Sequence, residues 1–279
     1  MPAPQTTTMA ATVSSEPDRR SSFDGEWTDI MASNLREINS LNQRGGRMLS
    51  VVDLIEDGTL DAETAGLLLS FVAAGASFLT AAGPGGVGKS TLLAVLLSFL
   101  PPDERIRTVT EPTDAGAPGE PTCWLCHEIG AGHWLGYLWG SQAADFFALG
   151  ECGRIAATLH ADTDEEIVAQ LLGPGVGAAE EDLARVDLLL TMVREGGLRR
   201  VSTVYEAAEG ATAEFLPIVE WDRGRDAFEL TPSAHLARLQ STVPVERATQ
   251  FVAELVARNV CYLEDVMAAV AEFYAEVTR

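Results

Sequence analysis

Lysine is nearly missing from this 279-residue chain: Lys89 stands alone against eighteen arginines. Basic charge in general is scarce, with 19 Lys and Arg facing 41 Asp and Glu for a formal net charge of -22. The excess is uneven, because residues 1–48 hold six acids and five arginines while the remaining 35 acids face 14 basic residues. A surface so rich in carboxylates repels phosphate backbones and anionic lipid, which excludes nucleic acid as a partner class. Abundant acids, arginine in place of lysine and a pI near 4.4 suit a salt-rich cytoplasm, where screening tolerates the repulsion. Cysteine is also sparse. Cys123, Cys126, Cys152 and Cys261 are too few and too scattered for a disulfide framework. The start, MPAPQTTTMAATVSSEPDRR, lacks the basic head and apolar centre of a secretory leader, so a cytoplasmic protein is expected. Residues 64–88 carry no charge, and a membrane span needs about 20 such residues. GPGG interrupts them, however, and they read better as a helix near 62–74 followed by the strand SFLTAA.

Residues 1–48 are rich in Ser, Thr, Pro and Ala and predict a mobile or partly disordered tail with a short helix near 27–42. From Ser50 the pattern changes to two short helical segments, the second capped by Asp61. Strand SFLTAA, loop GPGGVG, helix KSTLLAVLLSFL stopped by Pro101 and Pro102, and strand IRTVTE then follow in βαβ order. The later strand RIAATLH precedes the acid-started helix DTDEEIVAQLLG, and three β-rich segments, VDLLLTMV, RRVSTVYEA and FLPIVEWD, come after it. Near the C-terminus, Ala248, Phe251, Val252, Leu255 and Val256, then Val266, Met267, Val270, Phe273 and Tyr274, recur at helical spacing on either side of Asn259, which predicts a helical hairpin. The expected organisation is an α/β domain over 49–232, with a mainly parallel sheet flanked by helices, and a small C-terminal helical hairpin over 233–279.

The stretch GPGGVGKS, residues 83–90, fits the P-loop pattern G-x-x-x-x-G-K-[ST]. An apolar strand enters it and a helix leaves it, the arrangement that aims backbone N–H groups and a helix N-terminus at one anion. The expected nucleotide-binding residues are Gly83, Pro84, Gly85, Gly86, Val87, Gly88, Lys89, Ser90 and Thr91. Lys89 would reach the β- and γ-phosphates of ATP, and the Ser90 hydroxyl would bind Mg²⁺. A compact ammonium on a flexible stem suits that cradle where the planar arginine fork does not, which accounts for the one retained lysine.

Beyond the loop, the run DLIEDGTLDAETAGLLLSFVAAGASFLTAAGPGGVGKST resembles the entry to the motor domain of the type II/type IV secretion and pilus or archaellum ATPases. IRTVTEP resembles that family's acidic box, ATLHAD its histidine box, and VDLLLTMV with RRVSTVYEA its closing strands. The C-terminal ERATQFVAELVARN and LEDVMAAVAEFY resemble the helical tail of the archaeal branch. The resemblance covers about residues 50–275 and implies a RecA-like P-loop fold, ATP hydrolysis, hexameric assembly and a place at the cytoplasmic face of a membrane machine. It makes Glu111 the glutamate that polarises the attacking water and His160 the histidine that reports the nucleotide.

In the family a further apolar strand ends in a Gly-Glu pair, and here the best match is LGYLWGSQAADFFAL. That puts Tyr137 at the glutamate, Trp139 at the following arginine and Gln142 at a second glutamate, leaving Asp114, Glu128 or Asp145 as possible substitutes. The 48-residue stretch stands where the family has a sensor-like N-terminal domain. These departures raise a second reading, a nucleotide-binding regulatory paralogue that associates with a full motor and does not hydrolyse ATP. A small-molecule kinase would need an arginine-rich lid, and residues 111–150 contain no arginine. Finally, CWLCH matches C-x-x-C-H. Haem attachment needs an extracytoplasmic route, zinc would need Cys123, Cys126, Cys152 and a histidine such as His127 or His133 to converge, and thiol redox chemistry or incidental cysteines complete the alternatives.

Overall fold

The computed structural model describes residues 28–42, 45–83, 85–114, 119–208, 210 and 213–277. Pro84 and residues 1–27 therefore lie outside the described residues. The first element is a helix, α1 (Asp29–Ser40), whose N-cap Thr28 accepts from the Met31 amide at 3.1 Å. It falls within the short helix expected near 27–42, and it packs against the body: Met31, Asn34 and Ile38 are buried. Asn34 accepts from the Ile106 amide at 2.8 Å and donates to the Glu104 carbonyl at 2.8 Å. A side-chain amide thus satisfies backbone groups on an edge strand that would otherwise be open.

Helices α2 (Val51–Glu56) and α3 (Ala62–Ala73) follow, and Asp61 caps α3 through the Thr64 amide at 2.8 Å, as its sequence position predicts. Next come β1 (Phe78–Ala81), α4 (Lys89–Ser98), β2 (Arg105–Thr108), β3 (Thr122–Ile129), β4 (Tyr137–Leu138), α5 (Ser141–Ala148), β5 (Arg154–Leu159) and α6 (Asp164–Leu172). A one-turn helix, α7 (Glu180–Leu183), leads to β6 (Leu188–Glu195), β7 (Leu198–Ala207), β8 (Phe215–Asp222) and β9 (Ala227–Leu230), and then to helices α8 (Leu236–Thr242), α9 (Val245–Ala257) and α10 (Leu263–Val277).

The nine strands of the described residues form one sheet in the order β2-β3-β5-β1-β6-β7-β8-β9, with β4 paired to β3. The strands from β2 to β6 pair in parallel, and β7 to β9 extend the sheet antiparallel. The mostly parallel sheet agrees with the βαβ reading, and β5 lies between β1 and β3, so the strand after the P-loop strand in space is not the next in sequence. Both faces are covered, and successive side chains go to different cores. In β3, Cys123 and Leu125 join the core with α3, α4, α9 and α10, whereas Trp124 and Cys126 join the core with α5 and α6. That alternation is the pleat of a strand buried on both sides.

Helix α4 has no solvent face: Leu92 to Ser98 are all buried. It contacts α1, α3 and α10 as well as β1 and β5. A helix apolar all round is one that other elements must enclose. The Phe251 and Phe273 rings of α9 and α10 stack at 4.4 Å, and both helices belong to the same core as α3 and α4. Tyr274 donates to the Phe99 carbonyl at the end of α4 at 2.9 Å. Close to Tyr274, Arg154 and Glu104 make a buried two-pronged ion pair at 2.6 and 2.7 Å, and Arg154 also donates to the Val72 carbonyl at 2.8 Å. Burial raises the Glu104 pKa and the Arg154 charge opposes the rise. No described helix is long and apolar enough to cross a membrane.

Candidate nucleotide site

The loop between β1 and α4 carries out what its glycines predict. Gly88 is the N-cap of α4 with φ +126°, a backbone region that L side chains avoid. It offers no side-chain cap, so the first N–H groups of α4 remain available to an anion. At Gly83 the reason for glycine is spatial: a Cβ would sit 2.4 Å from Asp162 Oδ2, while the Gly83 amide donates to Asp162 Oδ1 at 2.7 Å. Asp162, two residues beyond His160, therefore pins the start of the loop.

Lys89 is buried, and its ammonium lies 3.4 Å from the Glu128 carboxylate and 3.2 Å from His160 Nε2. Burial lowers the Lys89 pKa, and the Glu128 charge and hydrogen bond oppose that fall. His160 Nε2 is 3.1 Å from Glu128 Oε1, and its Nδ1 is 2.8 Å from the Gly83 carbonyl. Nδ1–H donation to that carbonyl leaves Nε2 to face the ammonium and the carboxylate. Thr158 Oγ1, on β5, lies 2.8 Å from Glu128 Oε2 and 2.6 Å from the His127 carbonyl. Three strand ends thus converge on one ammonium. β1 delivers the loop, β5 delivers His160 and Thr158, and β3 delivers Glu128, because β5 is the strand between the other two.

A cavity of about 490 Å³ opens over this cluster. One wall is polar, with Gly85, Gly86, Gly88, Lys89, Ser90, Thr91, Glu128 and His160. The other is largely apolar, with Leu41, Met48, Leu49, Leu54, Met192 and Leu198. Volume, anion-facing amides and an apolar half together suit a nucleotide. Oxygen donors also suit a hard divalent cation, since the Ser90 hydroxyl and the Glu128 carboxylate line the same space.

The resemblance sets Tyr137 at the glutamate of the family's Gly-Glu pair. Tyr137 is on β4, whose register pairs it with Glu128 itself, so the tyrosine stands beside the carboxylate and not in place of one. Glu128 is the next-to-last residue of an eight-residue strand buried along its whole length. Sequence reading missed that strand because its cysteines drew attention as a metal motif. Two cysteines three apart on a strand face opposite ways, and Cys123 and Cys126 indeed enter different cores. Burial raises the pKa of both thiols. Cys152 is exposed in the turn after α5 and its thiol contacts the Leu149 carbonyl at 3.4 Å. Among the described residues no group of three metal-binding side chains gathers. His127 is buried and its Nε2 lies 3.2 Å from Thr108 Oγ1 and 3.4 Å from Ser40 Oγ, tying β3 to β2 and α1.

Of the expected site residues, Gly85, Gly86, Gly88, Lys89, Ser90, Thr91 and His160 share the cavity wall. Val87 is buried beneath the loop. Glu111 is exposed after β2, outside that wall, and accepts from Gln142 Nε2 at 3.0 Å. Of the three acids named as possible substitutes, Glu128 lines the cavity; the hydrophobic half was not expected, and the signal that marks Glu128 is its place near the end of the mostly apolar run TCWLCHEIG.

No family model matches the chain and no curated protein matches it. Among solved structures, the chain is similar to the crystal structure of the VirB11 ATPase from the Brucella suis type IV secretion system in complex with sulphate. The identity is 18%, with 55% of this chain and 54% of that one covered and a TM-score of 0.35. The chain thus spans about half the length of that protein.

Proposed function

We propose that the chain binds ATP with Mg²⁺ in this cavity and hydrolyses it, as a RecA-like P-loop ATPase of the secretion and pilus type. One observation carries the reading: the only lysine of the chain lies buried at the start of α4 with its ammonium between Glu128 and His160. A cation held at a helix N-terminus beside a carboxylate and an imidazole is equipped to take a triphosphate and act on its terminal group.

In this proposal the loop amides and Lys89 hold the β- and γ-phosphates, and nucleotide draws the ammonium away from Glu128. Ser90 and Glu128 would hold Mg²⁺, which supplies charge neutralisation on the phosphates. The freed Glu128 carboxylate orients water and takes its proton, and His160 contacts both the loop and the carboxylate and so reports the terminal phosphate. Glu111 acts as a second carboxylate that closure of its loop would bring to the water. The secretion and pilus assignment rests on the order of the boxes IRTVTEP, ATLHAD and VDLLLTMV along the chain, together with the strand order of the sheet. Assembly as a homo-hexamer, or with a full motor at the cytoplasmic face of a membrane secretion or pilus complex, is proposed on the same ground. The non-hydrolysing alternative drew on Tyr137 at the glutamate position and on the 48-residue stretch in place of a sensor-like domain; the Glu128 carboxylate beside Lys89 favours hydrolysis over it.

The test is calorimetry with ATP and Mg²⁺ alongside a phosphate-release assay, both in buffers extending to multimolar KCl. Wild type is expected to bind and to release phosphate, and Lys89→Ala to lose binding by a hundredfold or more. Absence of any binding by wild type would overturn the proposal.

A further inference from the structure

Arg199 and Arg200 are consecutive on β7 and leave it in different directions. Arg200 is buried and fully engaged: it bonds Asp226 through Nε and Nη2, both at 2.9 Å, donates to the Asp57 carbonyl at 3.1 Å and covers the Trp221 ring. Its role is to hold the turn after α2 against the strands. Arg199 instead lies on the cavity wall. Its Cδ passes 3.5 Å from the point where a Cβ on Gly88 would sit, and Met192 Cε passes 3.2 Å from it, so the β6–β7 hairpin presses directly on the P-loop backbone. Any side chain at residue 88 would displace that contact.

The charge around Arg199 asks for an anion. The residue is exposed, and among the described residues its guanidinium forms no ion pair, in a chain where acids outnumber bases by 41 to 19. Its cross-strand partner is Arg194, and like charges directly opposite on a sheet repel. The neighbouring carboxylate, Glu195, is engaged by Arg223 at 2.6 Å. Arg199, on the cavity wall, and Arg194 opposite it on the sheet therefore carry an unfavourable interaction that an anion bound at Arg199 relieves.

We propose that Arg199 is a phosphate-binding residue, supplied by the β6–β7 hairpin of the same chain, that clasps the α- and β-phosphates of the nucleotide over Gly88. The location along the nucleotide follows from the two ends of the loop. Glu128 and His160 meet the tip of Lys89, where the terminal phosphate belongs, whereas Arg199 meets the backbone at Gly88, beside the apolar half of the cavity. The inference rests on the nucleotide reading above and adds a cation to it that the loop motif does not contain. A guanidinium fork bridging two phosphate oxygens is the geometry at which lysine substitutes poorly.

Titration of ADP and of ATP into wild type, Arg199→Gln and Arg199→Lys, with Mg²⁺, tests it. Arg199→Gln is expected to weaken both nucleotides to a similar degree, by about ten- to a hundredfold, and Arg199→Lys to recover only part of the loss. The salt dependence of binding should also flatten in Arg199→Gln, by about one counterion's worth of slope. Unchanged ADP and ATP affinity in Arg199→Gln, with binding lost in Lys89→Ala, would overturn the proposal while leaving the nucleotide reading intact. A loss confined to ATP would also overturn it, by moving Arg199 to the terminal phosphate. Failure of wild type to bind either nucleotide would instead defeat the underlying reading. Because Arg199 is exposed, an unchanged melting temperature is expected for both variants and separates lost contact from lost fold.

Discussion

Replacing Glu128 by glutamine separates the two tasks assigned to it. Glutamine keeps the volume and still accepts from Thr158, whose hydroxyl lies 2.8 Å from Glu128 Oε2, so the end of β3 should hold. What disappears is a negative charge 3.4 Å from the Lys89 ammonium. At an effective dielectric of roughly 20 that pair attracts by about 5 kcal/mol, most of which is offset by the desolvation of both groups. Nucleotide must displace the carboxylate from the ammonium to bind, so its removal is expected to tighten ATP binding about tenfold, or about 1.4 kcal/mol. Turnover moves the other way. Loss of the group that orients and deprotonates water costs about a hundred- to ten-thousandfold, or about 3–5 kcal/mol of barrier. The assay is phosphate release at saturating ATP beside calorimetric affinity, on wild type, Glu128→Gln and Tyr137→Glu. If Glu128→Gln keeps near wild-type turnover while Tyr137→Glu raises it, the acidic motif belongs on β4 after all and the assignment of β3 is wrong.

Two further outcomes follow from the packing. Glu104→Ala leaves the Arg154 guanidinium buried without its partner, and chemical denaturation should show a loss of about 3–5 kcal/mol, with much of it recovered when both residues become methionine; a loss under 1 kcal/mol would mean that water reaches the pair. Burial lowers the His127 pKa below its ordinary 6.5, with Glu37 opposing. As pH falls through 6.5 the unfolded chain therefore takes up a proton that the folded one resists, and stability is lost below 6.5 and held above it. Urea midpoints measured from pH 7.5 to pH 5 should fall less steeply for His127→Gln than for wild type, and parallel curves would exclude His127 as a source of the acid sensitivity.

Much of the local chemistry is legible along the chain. The loop glycines, the single lysine and the helix that follows are consecutive residues, and the reasons for them act over a few bonds: a positive φ at Gly88, free amides at a helix start and a compact cation. The Asp61 cap and the strands SFLTAA, IRTVTE and RIAATLH were equally readable, because their signals are short-range propensity and apolar pattern. β3 was not, since a parallel strand buried on both faces has no polar alternation to mark it, and its cysteines and histidine imitate a ligand motif. Helix α1 was half legible: its helical character shows in the sequence, but its burial depends on an open edge at β2 that Asn34 covers.

The sequence by itself determined that a glycine-rich turn with one ammonium stands between a strand and a helix. Only the tertiary structure decided which acid meets that ammonium, because strand order comes from burying both faces of the sheet at once. Insertion of β5 between β1 and β3 brings Glu128 and His160 to Lys89, and the covering of both faces of β3 sends Cys123 and Cys126 into separate cores. The hydrophobic wall and Arg199 are likewise set by distant segments that touch only when the sheet and its covering helices close.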